Sequence, residues 1–428
     1  MIPSRNTLAH ACAALDLILP FTEPADGVLS RYFRANPELG SQDRAFIAES
    51  VFGVLRRKRL LEALSEQNSG RVLLLSYLVR VVGLSIRQLA TVLQPEEGEW
   101  LGAIKARDSS NLPLAVQLDL PDWLFERLQA QMSEAELIAL GRALQQPAPL
   151  DLRVNTLRAT REEVLAKLCA EKINAQATPY SPIGVRLDSK PALNKNKLFV
   201  AGKIEVQDEG SQILGFLVAP TRHETVVDFC AGAGGKTLML GAMMHSQGRL
   251  YAFDVSEKRL ANLKPRLKRS GLSNIHPYLI QHENDTKVKR LAGKIDRVLV
   301  DAPCSGLGTV RRNPDLKWRQ SPQSVVELAA KQTAILESAA RLVKPGGHLV
   351  YATCSLLREE NEDIVHAFLT LHPEFSLADA DTLLARYQIP VTSGTFLKLS
   401  PATHHTDGFF AAVLTRKIEI LLTESSAV

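Results

Sequence analysis

Thr225-Val226-Val227-Asp228-Phe229-Cys230-Ala231-Gly232-Ala233-Gly234-Gly235-Lys236-Thr237 is the run that decides the fold. A β-branched apolar strand leads through a glycine-rich turn into 236–244, a segment with helical spacing. The alternation recurs on both sides of this run. Strands are expected at 249–254, 276–281, 296–301 and 348–353, and helices at 211–218, 258–269 and 322–342. Ser321 and Pro322 suit the start of the last helix, and Lys344-Pro345-Gly346-Gly347 stops it. Repeated strand–helix units predict an α/β fold with a doubly wound parallel sheet over 209–417. In such sheets, ligands bind outside the carboxyl ends of the strands.

Upstream, residues 1–146 carry helical spacing, clearest at 45–64 and 72–82, and Ser133 with Glu136 forms a capping box. Arg56, Arg57, Lys58 and Arg59 cluster on one helix, either as a solvated face or as a basic contact surface. Pro147-Ala148-Pro149 then breaks the pattern. Short strands at 150–155, 184–187 and 204–207, with a helix at 160–172 capped by Thr160 and Glu163, make 147–208 a small α+β module. Residues 418–428 form a C-terminal tail.

A chain of 428 residues accommodates these three domains. Its 45% hydrophobic content describes a soluble protein with sizeable cores. A formal net charge of +5 and a pI near 8.9 permit a nucleic-acid partner without requiring one. The five cysteines, odd in number and widely spaced, make no disulfide framework. No Cys-x-x-Cys pair occurs, so no metal is expected. The apolar stretch at 11–19 is interrupted by Asp16, and 72–83 is too short to span a bilayer and contains Arg80. A cytoplasmic, monomeric protein without a membrane partner is expected.

The glycine turn admits several readings. A phosphate-binding loop of the Walker type needs glycine where Cys230 stands. A dinucleotide fingerprint needs glycine where Thr237 stands. A shorter Gly-x-Gly turn suits a nucleoside cofactor without a pyrophosphate, such as S-adenosylmethionine, and a plain tight turn is the bland alternative. Asp254, ending the next strand about twenty residues on, sits where an acidic residue binds ribose hydroxyls. That favours nucleoside binding.

Two cysteines also fall at expected strand ends: Cys304 in Asp301-Ala302-Pro303-Cys304-Ser305-Gly306 and Cys354 in Thr353-Cys354-Ser355. A cysteine in such a place is commonly structural. Two of them, with Asp301 and with Lys236 to favour a thiolate, suit covalent chemistry. Carbon 5 of cytosine is a poor nucleophile until a thiolate adds to carbon 6, and a second group must later remove the proton at carbon 5. The loop 306–319 carries Arg311, Arg312, Lys317, Arg319 and Trp318. It reads either as a solvated surface loop or as a site for a phosphate backbone and a stacked base.

Together with Val206-Gln207-Asp208-Glu209-Gly210-Ser211, Glu359-Glu360-Asn361 and Asp407-Gly408-Phe409-Phe410, these motifs resemble the Sun/Fmu-type (RsmB/NOP-like) family of RNA cytosine-C5 methyltransferases. The resemblance implies a Rossmann-like class I S-adenosylmethionine methyltransferase domain. An RRM-like module at 147–208 and a NusB-like helical RNA- or partner-binding domain precede it. It implies Cys354 as nucleophile, Cys304 as the thiol assisting product release, and Asp301 contacting the target base near the cofactor. Cys230, Ala231, Gly232, Ala233, Gly234, Gly235, Lys236, Asp254, Glu283 and Asp301 would hold S-adenosylmethionine, with Lys236 also facing the reaction centre. The family's Ala-Pro-Gly-Gly-Lys turn reads Gly232-Ala233-Gly234-Gly235-Lys236 here, without the rigidifying proline. The implied substrate is small-subunit (16S) ribosomal RNA. A transfer-RNA methyltransferase and a catalytically silent ribosome-assembly factor are the alternatives.

Overall fold

The computed structural model describes residues 2–418, so from residue 419 the C-terminal tail lies outside the described residues. The chain forms two compact units. One is Met1–Pro147 with Thr309–Pro322, and the other is Ala148–Gly308 with the residues from Gln323 on.

The first unit is helical, as its sequence spacing requires. Helices Arg5–Ile18, Ser41–Ser65 and Gly70–Arg80 carry apolar stripes. These bring Leu15, Ile47, Val54, Leu73 and Leu74 together in one fully buried core. Ser4 and Ser69 cap two of these helices, and Ser133 with Glu136 makes the expected reciprocal box.

The segment 309–322 packs into this unit. Trp318 Nε1 donates to Leu55 O (2.8 Å), Lys317 Nζ to Arg56 O (2.9 Å), and Arg56 Nη2 to Arg311 O (3.0 Å). The Lys58 ammonium stands 5.0 Å from the Trp318 ring centre. This corrects the reading of 306–319 as a loop presented to phosphates and a base. Arg311 and Lys317 are buried, and the indole N–H is spent on backbone. Nor is the Arg56–Arg59 cluster a solvated face. All four residues are half-buried, and Arg57 Nε pairs at 2.8 Å with the buried Asp119.

The second unit holds two sheets. The smaller is antiparallel: β1 (Leu150–Val154), β2 (Ala175–Ala177), β3 (Gly184–Leu187) and β4 (Ile204–Val206), in the order β2-β3-β1-β4. β2 has only three residues and no apolar alternation, so the sequence does not announce it. The larger sheet has a parallel part made of β5 (Thr225–Asp228), β6 (Arg249–Asp254), β7 (Ile275–Leu279), β8 (Ile295–Asp301) and β9 (Val343–Thr353), which pair with one another in parallel. β10 (Phe375–Ala378), β11 (Leu397–Leu399) and β12 (Phe409–Arg416) extend it antiparallel, giving the order β10-β12-β9-β8-β5-β6-β7 with β11 on β12. The sheet is thus mixed.

Period-two alternation gives this sheet two cores. Val226, Leu299 and Val350 face one, covered by α1 (Glu209–Val218) and α2 (Gly235–Met243), with α3 (Glu257–Ser270) adding Leu260 and Leu263. Val227, Val298, Val300 and Leu349 face the other, under α4 (Pro322–Ala340) and α5 (Glu362–Leu371). β9 starts earlier than its sequence suggests. Ile295 pairs with Val343 and Arg297 with His348, so Lys344–Gly347 is an irregularity within the strand rather than a stop before it. Register places Asp228 opposite Leu299 and Asp301 opposite Ala352, which brings the carboxyl ends of β5, β8 and β9 side by side. Among the described residues, no helix is long and apolar enough to cross a membrane.

Candidate active site

At those strand ends the two cysteine turns meet. Cys304 Sγ and Cys354 Sγ are 3.4 Å apart, and Cys354 N lies 3.3 Å from Cys304 Sγ. The approach depends on Gly308. Its N–H donates to Cys354 O at 2.8 Å, and a Cβ there would stand 2.2 Å from Gly408 O. Beside the pair, Lys236 Nζ donates to Asp301 Oδ2 at 2.7 Å and sits 5.7 Å from the Phe409 ring centre. Burial works to lower the Lys236 pKa. The charge and hydrogen bond of Asp301 outweigh it, helped by Cys354, and hold the ammonium above its ordinary value. The hydrogen bond with Cys354, then burial, then the charge of Cys354 and after it that of Glu360, push the Cys304 thiol well up.

The glycine turn opens α2, and its backbone is held from three sides. Gly232 N and Ser256 N donate to Asp254 at 2.8 and 2.7 Å, tying the turn to the end of β6. Arg266 of α3 donates to Ala233 O (2.7 Å), and the buried Arg153 of β1 donates to Gly235 O and to Gln207. Gly234 adopts a positive φ of 83° where an added Cβ would run into Leu263.

Turn, strand ends and cysteines enclose one cavity of about 710 Å³. Of the residues expected to hold a cofactor, all but Gly234 line it, and so do the four expected at the reaction centre. Gly234 shapes the turn from behind. Glu283 also lines the cavity, its carboxylate accepting from Asn284 Nδ2 and its backbone O from Ser338 Oγ.

The cavity fits a nucleoside cofactor bearing an amino group. Asp228 is buried in its lining, with one oxygen accepting from Thr237 Oγ1 (2.7 Å) and Oδ1 left without a partner. Burial pushes this carboxyl up to about 7. Space is open beside Gly232, where a Cβ would meet nothing within 4 Å. Three residues that shape the site went unassigned in the sequence. Asp228 ends a strand beside the glycine turn, a signal that was present. Glu360 lay within a noted motif. Arg153 carries no local signal, because its target is 82 residues away.

Comparison with known proteins agrees with this geometry. Residues 215–415 match the 16S rRNA methyltransferase RsmB/F family, and 120–194 match its RsmF/B-like ferredoxin-like domain. The chain is 33% identical to the probable ribosomal RNA small subunit methyltransferase B of Synechocystis sp., over 91% of this chain and 95% of that protein. It is 32% identical to the ribosomal RNA small subunit methyltransferase B of Yersinia pseudotuberculosis, over 96% and 99%. The crystal structure of PH0851 is similar at 26% identity with a TM-score of 0.78, covering 97% of this chain and 99% of that one. Identity of this level along nearly the whole length, on top of the paired cysteines and nucleoside cavity, places the chain in the RsmB/F family of S-adenosylmethionine-dependent ribosomal-RNA methyltransferases.

Proposed function

We propose that the chain methylates carbon 5 of a cytosine in small-subunit ribosomal RNA through a covalent adduct to Cys354. The observation that carries this reading is the 3.4 Å contact of two thiols beside the Lys236–Asp301 pair, all on the cofactor cavity. Methylation at a nitrogen or a hydroxyl needs no thiol, whereas carbon 5 of cytosine requires a nucleophile and then a base.

In this reading the Cys354 thiolate forms a bond to carbon 6, and the displaced electron pair is delocalised toward ring N3, where Asp301 shares a proton. Carbon 5 becomes nucleophilic. Bound S-adenosylmethionine supplies an electrophilic methyl group. Cys304 assists removal of the carbon 5 proton, the C5–C6 double bond re-forms, and Cys354 leaves as the thiolate. Asp254 and Glu283 would hold the nucleoside, and Asp228, with its unmet oxygen, would face an amino group. Lys236 neutralises charge beside Cys354 and Asp301. The proline missing from the glycine turn does not argue for a silent protein, because Arg153 and Arg266 brace the same turn through the carbonyls of Gly235 and Ala233. The base must be unstacked to reach the thiols, so the target lies in a single-stranded or opened region. Residues 1–146 and 147–208 serve as RNA- or partner-binding modules to the catalytic domain at 209–417.

Nucleoside mass spectrometry of small-subunit RNA, from cells with and without the gene, tests this. Loss of one 5-methylcytidine, restored by the purified protein, is the expected result. An unchanged methylcytidine content in ribosomal RNA, with a change in transfer RNA instead, would overturn the substrate.

A further inference from the structure

Glu360 follows the second cysteine turn and has no exposed surface. Its carboxylate is held by hydrogen bonds that it accepts. Ser305 N donates at 2.8 Å and Gln332 Nε2 at 3.0 Å, both to Oε1. The hydroxyls of Ser305 and Ser355 both donate to Oε2. Ser305 is the residue after Cys304, and Ser355 is the residue after Cys354, so one carboxylate oxygen ties the two cysteine turns together. Gln332 also donates to Pro303 O (3.0 Å), and Tyr351 OH donates to Glu360 O (2.6 Å).

Two thiols in contact do not both ionise readily, because the like charges repel. Fixed charges nearby therefore decide which one does. Titratable groups around the pair include Tyr351 of β9, Glu360, Lys236 with Asp301, and, on the same cavity, Cys230, Asp228 and Lys331 of α4. The charge of Glu360 adds to the rise of the Cys304 pKa behind Cys354 and burial, and Lys236 lies on the Cys354 side, its own pKa raised in part by Cys354.

We propose that Glu360 is a positioning residue for the two-cysteine chemistry. It clamps the two turns at contact distance, and its negative charge keeps Cys304 protonated while Cys354, on the lysine side, serves as the thiolate. This rests on the reading of Cys354 as nucleophile. It adds what neither cysteine motif states: the order of ionisation is imposed from behind, through the serine that follows each cysteine. A thiol kept protonated in this way can donate to its neighbour's thiolate and is a strong base once ionised.

The test is Glu360→Gln in the full chain without RNA. Iodoacetamide labelling is followed at each cysteine by mass spectrometry across neutral and alkaline pH. In the parent protein Cys354 is labelled first. In the variant the labelling midpoint of Cys304 falls by about one pH unit, and its rate near neutrality rises about tenfold, the scale on which a nearby like charge acts. A Cys304 midpoint that stays in place in a folded Glu360→Gln protein would overturn the proposal. Where that variant does not fold, a Ser305→Ala, Ser355→Ala double variant decides, since it loosens the clamp and keeps the charge. Its Cys304 midpoint falls if the clamp is what holds the two thiols in contact, and a midpoint equal to the parent's overturns the proposal. Labelling does not depend on methyl transfer. Failure here is therefore distinct from failure of the nucleophile assignment, which retained methylation by Cys354→Ala would reveal.

Discussion

Two thiols in contact can divide a reaction that neither could complete alone. With Cys354 adding to the ring and Cys304 assisting elimination, their losses should look different. Cys354→Ala is expected to abolish methylation. Cys304→Ala is expected to accumulate a protein–RNA adduct that survives denaturing electrophoresis, because addition proceeds and elimination stalls. Full turnover by either variant sinks the division of labour. Asp228 makes a second residue-level prediction. Its ordinary pKa of 3.8 is raised to about 7 by burial. The folded protein therefore holds a proton that the unfolded chain has released, and this contribution to stability is lost as pH rises through about 7. A ligand ammonium prefers the ionised form, so affinity for S-adenosylhomocysteine should climb with pH and level off above 7. Calorimetry at several pH values checks this, and Asp228→Asn should flatten the slope.

Among the elements, the turn between β5 and α2 shows how a local departure is compensated from a distance. Its proline is absent, yet two guanidinium groups, from β1 and α3, bond the carbonyls of Gly235 and Ala233. A buried hydrogen bond from a charged group contributes about 1.5–3 kcal/mol. Arg153→Ala should thus weaken S-adenosylhomocysteine binding by roughly ten- to a hundredfold, as read by titration calorimetry. Unchanged affinity would mean that the turn holds its shape without this brace. Arg153 is fully buried, and desolvation brings its pKa to about 10. A neutral replacement therefore also removes a desolvation cost, and thermal stability should fall by less than binding does.

On the scale of the whole molecule, the polypeptide leaves the sheet-bearing unit after Gly308 and contributes 309–322 to the helical one. Lys317 anchors that excursion at an electrostatic cost. Burial first, then Arg56, Arg57 and Lys58, lower its pKa to about 7 against the pull of Asp119. Between about 7 and the ordinary 10.5, the unfolded chain binds a proton that the folded chain does not. Stability of the helical unit should therefore rise with pH across that window and decline as pH falls toward 7. Lys317→Met should flatten the dependence in pH-resolved thermal unfolding. A slope identical to that of the parent would show that the ammonium is not the group responsible.

Much of this was legible in the residues. The strand–turn–helix order, the Thr160 and Ser133 capping boxes, and the placing of Cys230, Asp254, Asp301 and Cys304 at strand ends all follow from short-range periodicity and backbone preference, which act within a few residues. The resemblance carried by the two cysteine motifs pointed to the methyltransferase family. The short antiparallel strands β10 and β11 did not announce themselves, because a strand of three or four residues is defined by its partner rather than by its own pattern. The fate of Lys317 and Trp318 is hidden from the sequence for the same kind of reason. Charge and aromaticity in a loop say nothing about which backbone carbonyl will receive their protons. Only the tertiary structure decided that Glu360 lies behind both cysteines and that Arg153 reaches the cofactor turn, since both depend on groups far apart in sequence being brought within hydrogen-bond distance.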